Sequence, residues 1–408
     1  MIICIVGAGA AGMMAAVSAR AQNPIATIVV VEKNAVLGRK VIISGGGRCN
    51  VTTGITDVRT VLTKYPRGSR FLTSAMYAFP PDQVMEWFEQ HGVALKVEAD
   101  NRVFPQSNNG KDVVGVFERL FRELAIAVVT QQTVIQVQRH GKQFAVKLQS
   151  GRIIVADKLI LTTGGQAYRH TGSSGEGYQF AESLGHTITP LASSLNSFIL
   201  TEAWPKTHSG LSFERVGLMV KERPQCMAEG PIVFTHQGIS GPAVFVISGL
   251  VAFTTYTKSA PLLVLIDFVP NQTQEQLLTT ISRQIEQHPK QLLKTLVHTW
   301  LPVAMVDTLM NELRIPLIQT NAATSKHARR AVVAWLKACA VSAIGRGTGA
   351  EFVTAGGVDT KEVDARTMES RLCPGLFFAG EILDIDGYTG GFNLQASWAT
   401  GRAAGSSV

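Results

Sequence analysis

The chain opens with Ile2-Ile-Cys-Ile-Val6, and Gly7-Ala-Gly9-Ala-Ala-Gly12 follows this apolar run without a break. An alanine-rich stretch comes next, and a second apolar run, Ile28-Val-Val-Val31, ends on Glu32. This order predicts a strand, a glycine turn, a helix and a second strand, which is the pattern of a dinucleotide-binding βαβ unit. We therefore expect an α/β protein that begins with a Rossmann-like domain.

Each residue of the turn has a physical role in such a unit. Gly7 permits the tight turn, Gly9 lets the backbone approach a pyrophosphate, and Gly12 lets the helix pack closely on the strand. The amino end of the helix offers free N–H groups and a partial positive charge to that pyrophosphate. Glu32 can accept hydrogen bonds from a ribose and disfavours a 2′-phosphate, so we expect FAD or NAD rather than NADP.

A second glycine-rich segment follows the acid, with the sequence Gly38-Arg-Lys-Val-Ile-Ile-Ser-Gly-Gly-Gly-Arg-Cys-Asn-Val-Thr52. Three consecutive glycines lose much backbone entropy on folding, and they suit a place where a flat ligand lies against bare backbone. Arg39, Lys40 and Arg48 would offset the negative charges of a pyrophosphate. Ser44 and Asn50 supply neutral donors for the polar edge of a ring.

This segment resembles the signature of the HI0933-like flavoproteins, also labelled aminoacetone oxidase family FAD-binding enzymes or BaiN-type NAD(P)/FAD-dependent oxidoreductases. Four further blocks resemble the same family, and together they span essentially the whole chain. The blocks cover residues 161–178, 232–242, 353–370 and 375–395.

The last block favours FAD over NAD. The apolar run Leu376-Phe-Phe-Ala379 is followed by Gly380-Glu381, which is similar to the Gly-Asp turn of FAD proteins. The segment Gly390-Gly-Phe-Asn-Leu394 then predicts the start of a last helix, whose N–H groups can face the C2 carbonyl of a flavin. No second strand–glycine–helix unit is recognisable, so a separate NADH domain is not expected.

The resemblance also implies that a strand ending at Thr163-Gly164 passes the cofactor and that a backbone group near Val134 meets the adenine. We expect FAD to be bound non-covalently and keep NAD(P)H as a candidate electron donor. The predicted cofactor-binding residues are Gly7, Gly9, Ala10, Ala11, Gly12, Glu32, Lys33, Arg39, Lys40, Ser44, Gly45, Gly46, Gly47, Arg48, Asn50, Val134, Thr163, Gly164, Gly380, Glu381, Gly391, Phe392, Asn393 and Leu394.

The domain organisation follows from a change of pattern near residue 194. We expect residues 1–193 to form the first part of the FAD-binding domain and residues 346–408 to complete it. Short β-like runs separated by Gly and Pro predict an inserted β-rich domain, barrel-like by resemblance, over residues 194–270. Helical apolar spacing predicts an inserted helical segment over residues 271–345.

Composition and charge exclude several classes of protein. With 408 residues, 46% of them hydrophobic, the chain can bury a large core of two or three domains. The five cysteines are scattered and form no CxxC pair, which argues against a disulfide framework, a zinc site or a redox pair. No basic segment precedes the apolar first strand, so we expect a cytoplasmic protein without a signal peptide or membrane segment.

The net charge of +8 leaves a nucleic-acid partner as a minority interpretation. Lys326-His-Ala-Arg-Arg330 is the one dense basic cluster, and it has no interleaved aromatic residues. We therefore favour dispersed surface charge and do not expect nucleic-acid binding.

The function predicted from the resemblance is an FAD-dependent oxidoreductase that acts on a small or medium organic molecule through flavin N5. Amine oxidation and reduction of an enone-like double bond both stay open. A flavin-dependent RNA-modifying enzyme and a non-catalytic FAD-bound sensor are the alternatives. Tyr168, His170, His236 and Tyr388 are candidates for the substrate side, but none is assigned as catalytic.

Overall fold

The computed structural model describes residues 1–347 and 352–408. The chain divides into two compact units, one formed by Met1–Ser194 with Glu351–Val408 and the other by Leu195–Ala350. Residues 348–351, which follow closely on the predicted return to the first domain at residue 346, lie outside the described residues.

The strands are β1 (Ile2–Val6), β2 (Thr27–Val31), β3 (Thr52–Thr53), β4 (Leu95–Val97), β5 (Arg102–Pro105), β6 (Ala127–Val129), β7 (Val134–His140), β8 (Gln143–Leu148), β9 (Ile153–Ala156), β10 (Lys158–Leu161), β11 (Ala192–Ser194), β12 (Phe198–Leu200), β13 (Ser212–Val220), β14 (Arg223–Phe234), β15 (Gly238–Ser240), β16 (Leu262–Asp267), β17 (Cys339–Arg346), β18 (Val353–Ala355) and β19 (Leu376–Phe378).

The helices are α1 (Ala10–Gln22), α2 (Arg39–Ile43), α3 (Val58–Leu62), α4 (Ser69–Ala78), α5 (Pro81–Gln90), α6 (Gly110–Glu123), α7 (Glu176–Ser183), α8 (Trp204–Thr207), α9 (Pro242–Leu250), α10 (Gln274–Gln287), α11 (Leu293–Val297), α12 (Val303–Glu312), α13 (Lys326–Ala338) and α14 (Phe392–Ser406).

A five-stranded parallel sheet in the order β19-β10-β1-β2-β6 forms the centre of the first unit. Four of its strands, β1, β2, β10 and β19, are mostly apolar and buried, as expected of a parallel sheet covered on both faces, whereas the edge strand β6 is partly exposed. The strands β7, β8 and β9 form a separate antiparallel sheet, as do β3, β5 and β4. The predicted α/β class with a Rossmann-like domain is confirmed.

The last helix, α14, packs directly on α1. A methyl group on Gly401 would lie 2.4 Å from the carbonyl oxygen of Ala11, and one on Gly405 would lie 2.2 Å from that of Ala15. Only glycine allows the two backbones to come so close. This packing fixes the C-terminal block of the chain beside the first glycine turn.

A closed antiparallel barrel in the order β12-β15-β14-β13-β16-β17 forms the second unit together with α8 to α13. The barrel and the helices share one apolar core. The predicted inserted β-barrel and helices are therefore present. The helical prediction for residues 271–345 is wrong at its end, because β17 is a strand of the barrel. Its buried residues Cys339, Val341 and Ala343 alternate with less buried ones, and the strand closes the barrel between β16 and β12.

Two apolar stretches of the first unit, each of which the sequence predicts as a strand, are interrupted in the structure. The stretch Val128–Val137 holds β6 and β7, which belong to different sheets. The stretch from Ile153 to Leu161 is divided at Asp157, whose carboxylate accepts hydrogen bonds from the backbone N–H of Ile2 and from Gln143. Period-two apolar spacing does not reveal such a change of sheet.

Candidate functional site

The carboxyl ends of the five parallel strands meet at one edge of the sheet, where a doubly wound fold binds its ligands. The strands lead into the glycine turn after β1, Glu32 after β2 and residues 130–133 after β6. On the other side of β1, β10 leads into Thr162–Gly165 and β19 into Gly380-Glu381. The structure therefore brings together blocks that are more than 300 residues apart in the sequence.

The three glycines of the first turn meet different surroundings. A methyl group on Gly7, which has φ +102°, would lie 2.6 Å from the carbonyl oxygen of Thr162. A methyl group on Gly12 would lie 1.9 Å from the carbonyl oxygen of Gly7. A methyl group on Gly9 would meet no atom within 4 Å in the described structure. Gly7 and Gly12 are thus needed for packing, whereas Gly9 borders open space at the amino end of α1.

Glu32 is buried and oriented by backbone groups. Its Oε2 accepts a hydrogen bond from the N–H of Ala8 at 2.8 Å, and its Oε1 accepts from the backbone and side-chain nitrogens of Asn34 at 2.8 and 2.7 Å. An ionised carboxylate has about four acceptor positions, so one remains for a ribose hydroxyl. The amide oxygen of Gln132 lies at the same edge of the sheet and is buried without a partner among the described residues.

The second glycine segment forms a tight turn after α2 in which the glycines have left-handed backbone angles. Gly45, Gly46 and Gly47 have φ values of +57°, +71° and +88°, and a methyl group on Gly46 or Gly47 would meet nothing within 4 Å. Bare backbone at these two positions therefore borders open space. The neighbouring polar side chains are already bonded, since Ser44 donates to the carbonyl oxygen of Val41 and Asn50 accepts from the N–H of Val103.

The basic residues of this segment have different partners. Lys40 Nζ lies 2.5 Å from Glu381 Oε2, and both side chains are largely buried. The Arg48 guanidinium pairs with Glu98 at 2.7 Å and lies 3.7 Å from the ring centre of Phe104. Both cations are thus paired with an acid, Lys40 with Glu381 in the C-terminal turn and Arg48 with Glu98 in the loop between β4 and β5.

The remaining predicted cations lie near Glu32. Arg39 is exposed and donates to Asn34 Oδ1 at 3.3 Å. Lys33 forms an ion pair with Glu176 at 2.9 Å and a hydrogen bond to Ser174. Arg39 and Lys33 therefore both have protein partners. Their side chains are long enough to contact a ligand phosphate as well.

The C-terminal block is held in place by hydrogen bonds at the start of α14. The carbonyl oxygen of Phe392 accepts from the Tyr65 hydroxyl at 2.6 Å, and Asn393 bonds both backbone groups of Gly387 at 2.8 Å. The side chain of Asn393 therefore orders the preceding loop. The backbone N–H groups of the first turn, at Phe392 to Leu394, are the donors that the fold leaves for a ligand.

A charged cluster that the sequence interpretation missed lies in the loop between β19 and α14. Arg67 forms a two-pronged ion pair with the fully buried carboxylate of Asp386, which also accepts from Ser194 at 2.8 Å. Burial raises the pKa of Asp386 and of the neighbouring Asp384, although Arg67 opposes the increase. Two acids spaced by one residue in an apolar, glycine-rich segment were the available signal, but nothing in the sequence pointed to Arg67.

The substrate-side candidates occupy different places. Tyr168 is half-buried, has φ +55° and lies with its ring centre 5.8 Å from Lys40 Nζ. His170 is exposed, with its ring 5.8 Å from that of Tyr168. Tyr388 is half-buried and donates its backbone N–H to Lys64. His236 is exposed in the second unit, in the turn between β14 and β15. Of the four, Tyr168 lies beside Lys40, whose partner is Glu381.

Val134, the predicted adenine neighbour, is the buried first residue of β7 and pairs with Leu148. Thr163 and Gly164 lie directly after β10. Thr163 Oγ1 is buried with no partner among the described residues, and a methyl group on Gly177 would lie 1.9 Å from it.

The donors and open backbone at this edge of the sheet fit an FAD molecule. Gly9, Gly46 and Gly47 border open space, Glu32 keeps an acceptor, and the helix termini of α1 and α14 offer N–H groups. A buried acceptor on Gln132 and a buried hydroxyl on Thr163 are also available for hydrogen bonds.

Other types of site have less support. Within residues 1–347 and 352–408, no group of three or more His, Cys, Asp or Glu residues could hold a metal ion. All five cysteines are buried free thiols, and burial raises the pKa of Cys49 to about 12, as expected of a packing residue. Among the described helices, none combines the length and apolar character needed to cross a membrane.

Comparisons with known proteins agree with the predicted family and class of enzyme. The HI0933-like protein Rossmann domain is matched over residues 1–407. The 3-dehydro-bile acid delta(4,6)-reductase of Clostridium scindens is 28% identical over 99% of this chain and 98% of its own length. The ribosomal RNA dihydrouridine synthase of Haemophilus influenzae is 30% identical over 99% of this chain and 97% of its own.

The fold is shared with a dehydrogenase of known structure. The 3-ketosteroid-delta4-(5alpha)-dehydrogenase of Rhodococcus jostii has a TM-score of 0.53 and 14% identity over 99% of this chain and 96% of its own. The predictions of the family and of a flavin-dependent oxidoreductase are confirmed at this level. The chain belongs to the HI0933-like protein Rossmann domain family.

Proposed function

We propose that this chain binds FAD non-covalently and reduces a carbon–carbon double bond conjugated to a carbonyl group in a small or medium organic molecule. One observation carries the cofactor assignment. Gly9 borders open space within the turn in which Gly7 and Gly12 are required for packing, and the buried carboxylate of Glu32 nearby has one hydrogen-bond acceptor position left. We keep the predicted cofactor-binding residues as part of this proposal.

The names of the relatives support reduction rather than amine oxidation. A 3-dehydro bile acid with Δ4,6 unsaturation is a conjugated enone, and dihydrouridine is uridine reduced at the double bond conjugated to its C4 carbonyl. The two named activities therefore share one kind of reaction on very different substrates. We transfer to this chain the reaction, and not either substrate.

Different residues of the site would bind different parts of FAD. Glu32 would bind the ribose, and the N–H groups at the start of α1 would bind the pyrophosphate. Lys40 and Glu381 would hold the turn after β19 beside the ribityl chain, and the first turn of α14 would bind the C2 carbonyl of the ring. Bound FAD, once reduced by a two-electron donor such as NADH or NADPH, would supply the hydride from N5.

Reduction of a double bond also consumes a proton, for which Tyr168 is the candidate donor. Its ring is half-buried, and the ring centre lies 5.8 Å from Lys40 Nζ. We expect Tyr168→Phe to lower the rate of double-bond reduction about 100-fold, a typical contribution of general acid catalysis. The affinity for FAD should not change, which separates a chemical role from a structural one.

The reaction can be tested by anaerobic half-reactions. The FAD-loaded chain is reduced with NADH or NADPH, or with dithionite if neither acts, and then mixed with a 3-oxo-Δ4,6 steroid. We expect the unsaturated steroid to reoxidise the flavin and its saturated 3-oxo analogue not to do so. The proposal fails if no conjugated carbonyl compound reoxidises the flavin, or if an amine reduces the oxidised enzyme instead.

A uracil base in RNA is a second candidate substrate. It is favoured by the name of the relative that is 30% identical and by the net charge of +8. The same half-reaction with a uridine-containing ribosomal RNA fragment, followed by nucleoside analysis for dihydrouridine, distinguishes the two substrates. A non-catalytic sensor would bind FAD and react with neither.

A further inference from the structure

Basic side chains of the second unit gather where α13 begins. Lys326, His327, Arg329 and Arg330 occupy its first two turns, and its first turn contains no acid. The amino end of a helix carries a partial positive charge, so cations are disfavoured there and acids are preferred. These four residues therefore do not serve the stability of the helix, and their placement raises the local positive potential.

The turn after α10 lies against the same segment. Asn321 Nδ2 donates to the carbonyl oxygen of His288 at 2.8 Å, and the N–H of Ala322 donates to that of Pro289 at 2.9 Å. These bonds hold His288 and Lys290, both exposed, beside the residues that lead into α13. We define the basic surface as the five exposed residues His288, Lys290, Lys326, His327 and Arg330.

Little acidic charge offsets this surface. Among the cations at the start of α13, Arg329 is paired with an acid, because its Nη1 lies 4.0 Å from Glu286. Its Nε also donates to the carbonyl oxygen of Thr324. No ion pair within the described residues involves Lys290, Lys326 or Arg330. Residues 195–350 contain seven lysines and seven arginines against nine acids, so the whole insertion is positively charged.

The chemistry of the surrounding side chains favours one kind of polyanion. Gln287, Ala322, Ala323 and Ser325 are exposed beside these cations and are small or polar. Glu286, Pro289 and Ile318 are also exposed in the same segments, and none of the exposed neighbours is aromatic. A helix that lies on an anionic membrane places Trp, Phe or Leu beside its cations. A surface of separated cations with polar neighbours instead matches the regular phosphates of a nucleic acid.

We propose that the basic surface binds the phosphate backbone of RNA, so that the second unit holds an RNA substrate. The inference rests on the RNA candidate of the proposed function. It also revises the sequence interpretation of dispersed charge, because the fold places a second basic segment beside the first.

The test uses the full-length FAD-loaded protein and a fluorescently labelled uridine-containing RNA hairpin, with binding followed by anisotropy at several salt concentrations. The test variant is the triple substitution Lys290→Ala, Lys326→Ala and Arg330→Ala. The matched control is Lys221→Ala, Arg223→Ala and Lys258→Ala, which removes the same charge from other exposed positions of the same unit.

We expect the test variant to bind RNA at least about tenfold more weakly than the wild type, with a salt dependence reduced by about two counterions. The control should change affinity about twofold or less. Equal weakening in both triple variants, or no salt-dependent RNA binding by the wild type, would overturn the inference. Binding to phosphatidylserine vesicles without binding to RNA would also overturn it.

The same samples separate this inference from the proposed function. Their FAD content and their half-reaction with a conjugated carbonyl compound are measured in parallel. Reduction of that compound without RNA binding would refute the RNA-binding proposal and support the proposed reductase activity. RNA binding without reduction of any conjugated double bond would refute the proposed reductase activity and support the RNA-binding proposal.

Discussion

The first glycine turn and the second glycine segment contain the same residue type for different reasons. In the turn after β1, Gly7 and Gly12 are required because neighbouring backbone atoms leave no room for a methyl group. In the second segment, Gly46 and Gly47 meet no such obstacle and are required by their left-handed backbone. Gly9 resembles neither group, because it has ordinary backbone angles and open space. The comparison shows that glycine can be required for close packing or for its backbone angle, and that Gly9 is required for neither in the protein without its ligand.

The largest effect is expected where the packing is tightest. Gly12→Val would place a side chain 1.9 Å from the carbonyl oxygen of Gly7 and near the hydroxyl of Thr162. We expect the free energy of unfolding to fall by about 3 kcal/mol, because overpacking a rigid site forces backbone shifts. Urea unfolding followed by circular dichroism measures the change. A variant as stable as the wild type would show that this helix does not need its close approach to the strand.

The matched substitution at Gly9 should separate stability from binding. Gly9→Val enters open space, so we expect the free energy of unfolding without FAD to stay within about 0.5 kcal/mol of the wild type. We expect the affinity for FAD to fall about 100-fold, or about 2.7 kcal/mol, because the branched side chain occupies the approach to the pyrophosphate. Titration of the apoprotein by flavin fluorescence measures this. Unchanged affinity would place the cofactor elsewhere.

The second segment should respond through its backbone angle. Gly46→Ala keeps open space around the methyl group but forces an L-residue to adopt φ +71°. We expect a loss of about 1 kcal/mol in the free energy of unfolding of the apoprotein. Gly115→Ala, a helical position with no atom within 4 Å of the added methyl group, is the control and should be neutral or stabilising. An equal change in the free energy of unfolding for both variants would contradict the claim that the left-handed backbone at Gly46 requires glycine.

A histidine in the first unit provides the smallest and most local test. His186 is buried, contacts Ser370 at 2.7 Å and has Glu362 3.2 Å from its other ring nitrogen. Burial lowers the pKa of His186 below its usual value, although Glu362 opposes this decrease. The unfolded chain therefore takes up a proton more readily than the folded chain, and stability present above about pH 6.5 is lost as the pH falls through the folded pKa.

Urea unfolding between about pH 8 and pH 5, above the range where most carboxylates titrate, measures this loss. His186→Gln removes the titrating group and should flatten the dependence of stability on pH in that range. A slope that is unchanged in the variant would assign the effect to other residues.

The sequence predicted the local structure of the candidate site wherever residues close together in the chain determine the backbone geometry. The glycine turn, Glu32 and the start of α14 follow from residues that are neighbours in the chain. Arg67, Ser194 and Asp386 could not be assembled in this way, because they come from three segments brought together only by folding. The strand β17 was missed for a related reason, since its role is to close a barrel whose other strands lie far away in the sequence.

The most direct test of the central claim is the flavin content of the purified chain after reconstitution with FAD. The bound flavin is released by denaturation, identified by chromatography and compared with the protein concentration. The account predicts one FAD per chain, released without any covalent link, in the wild type and a strongly reduced content in Gly9→Val. Absence of bound FAD from the wild type, or full retention by Gly9→Val, would contradict the assignment of this edge of the sheet.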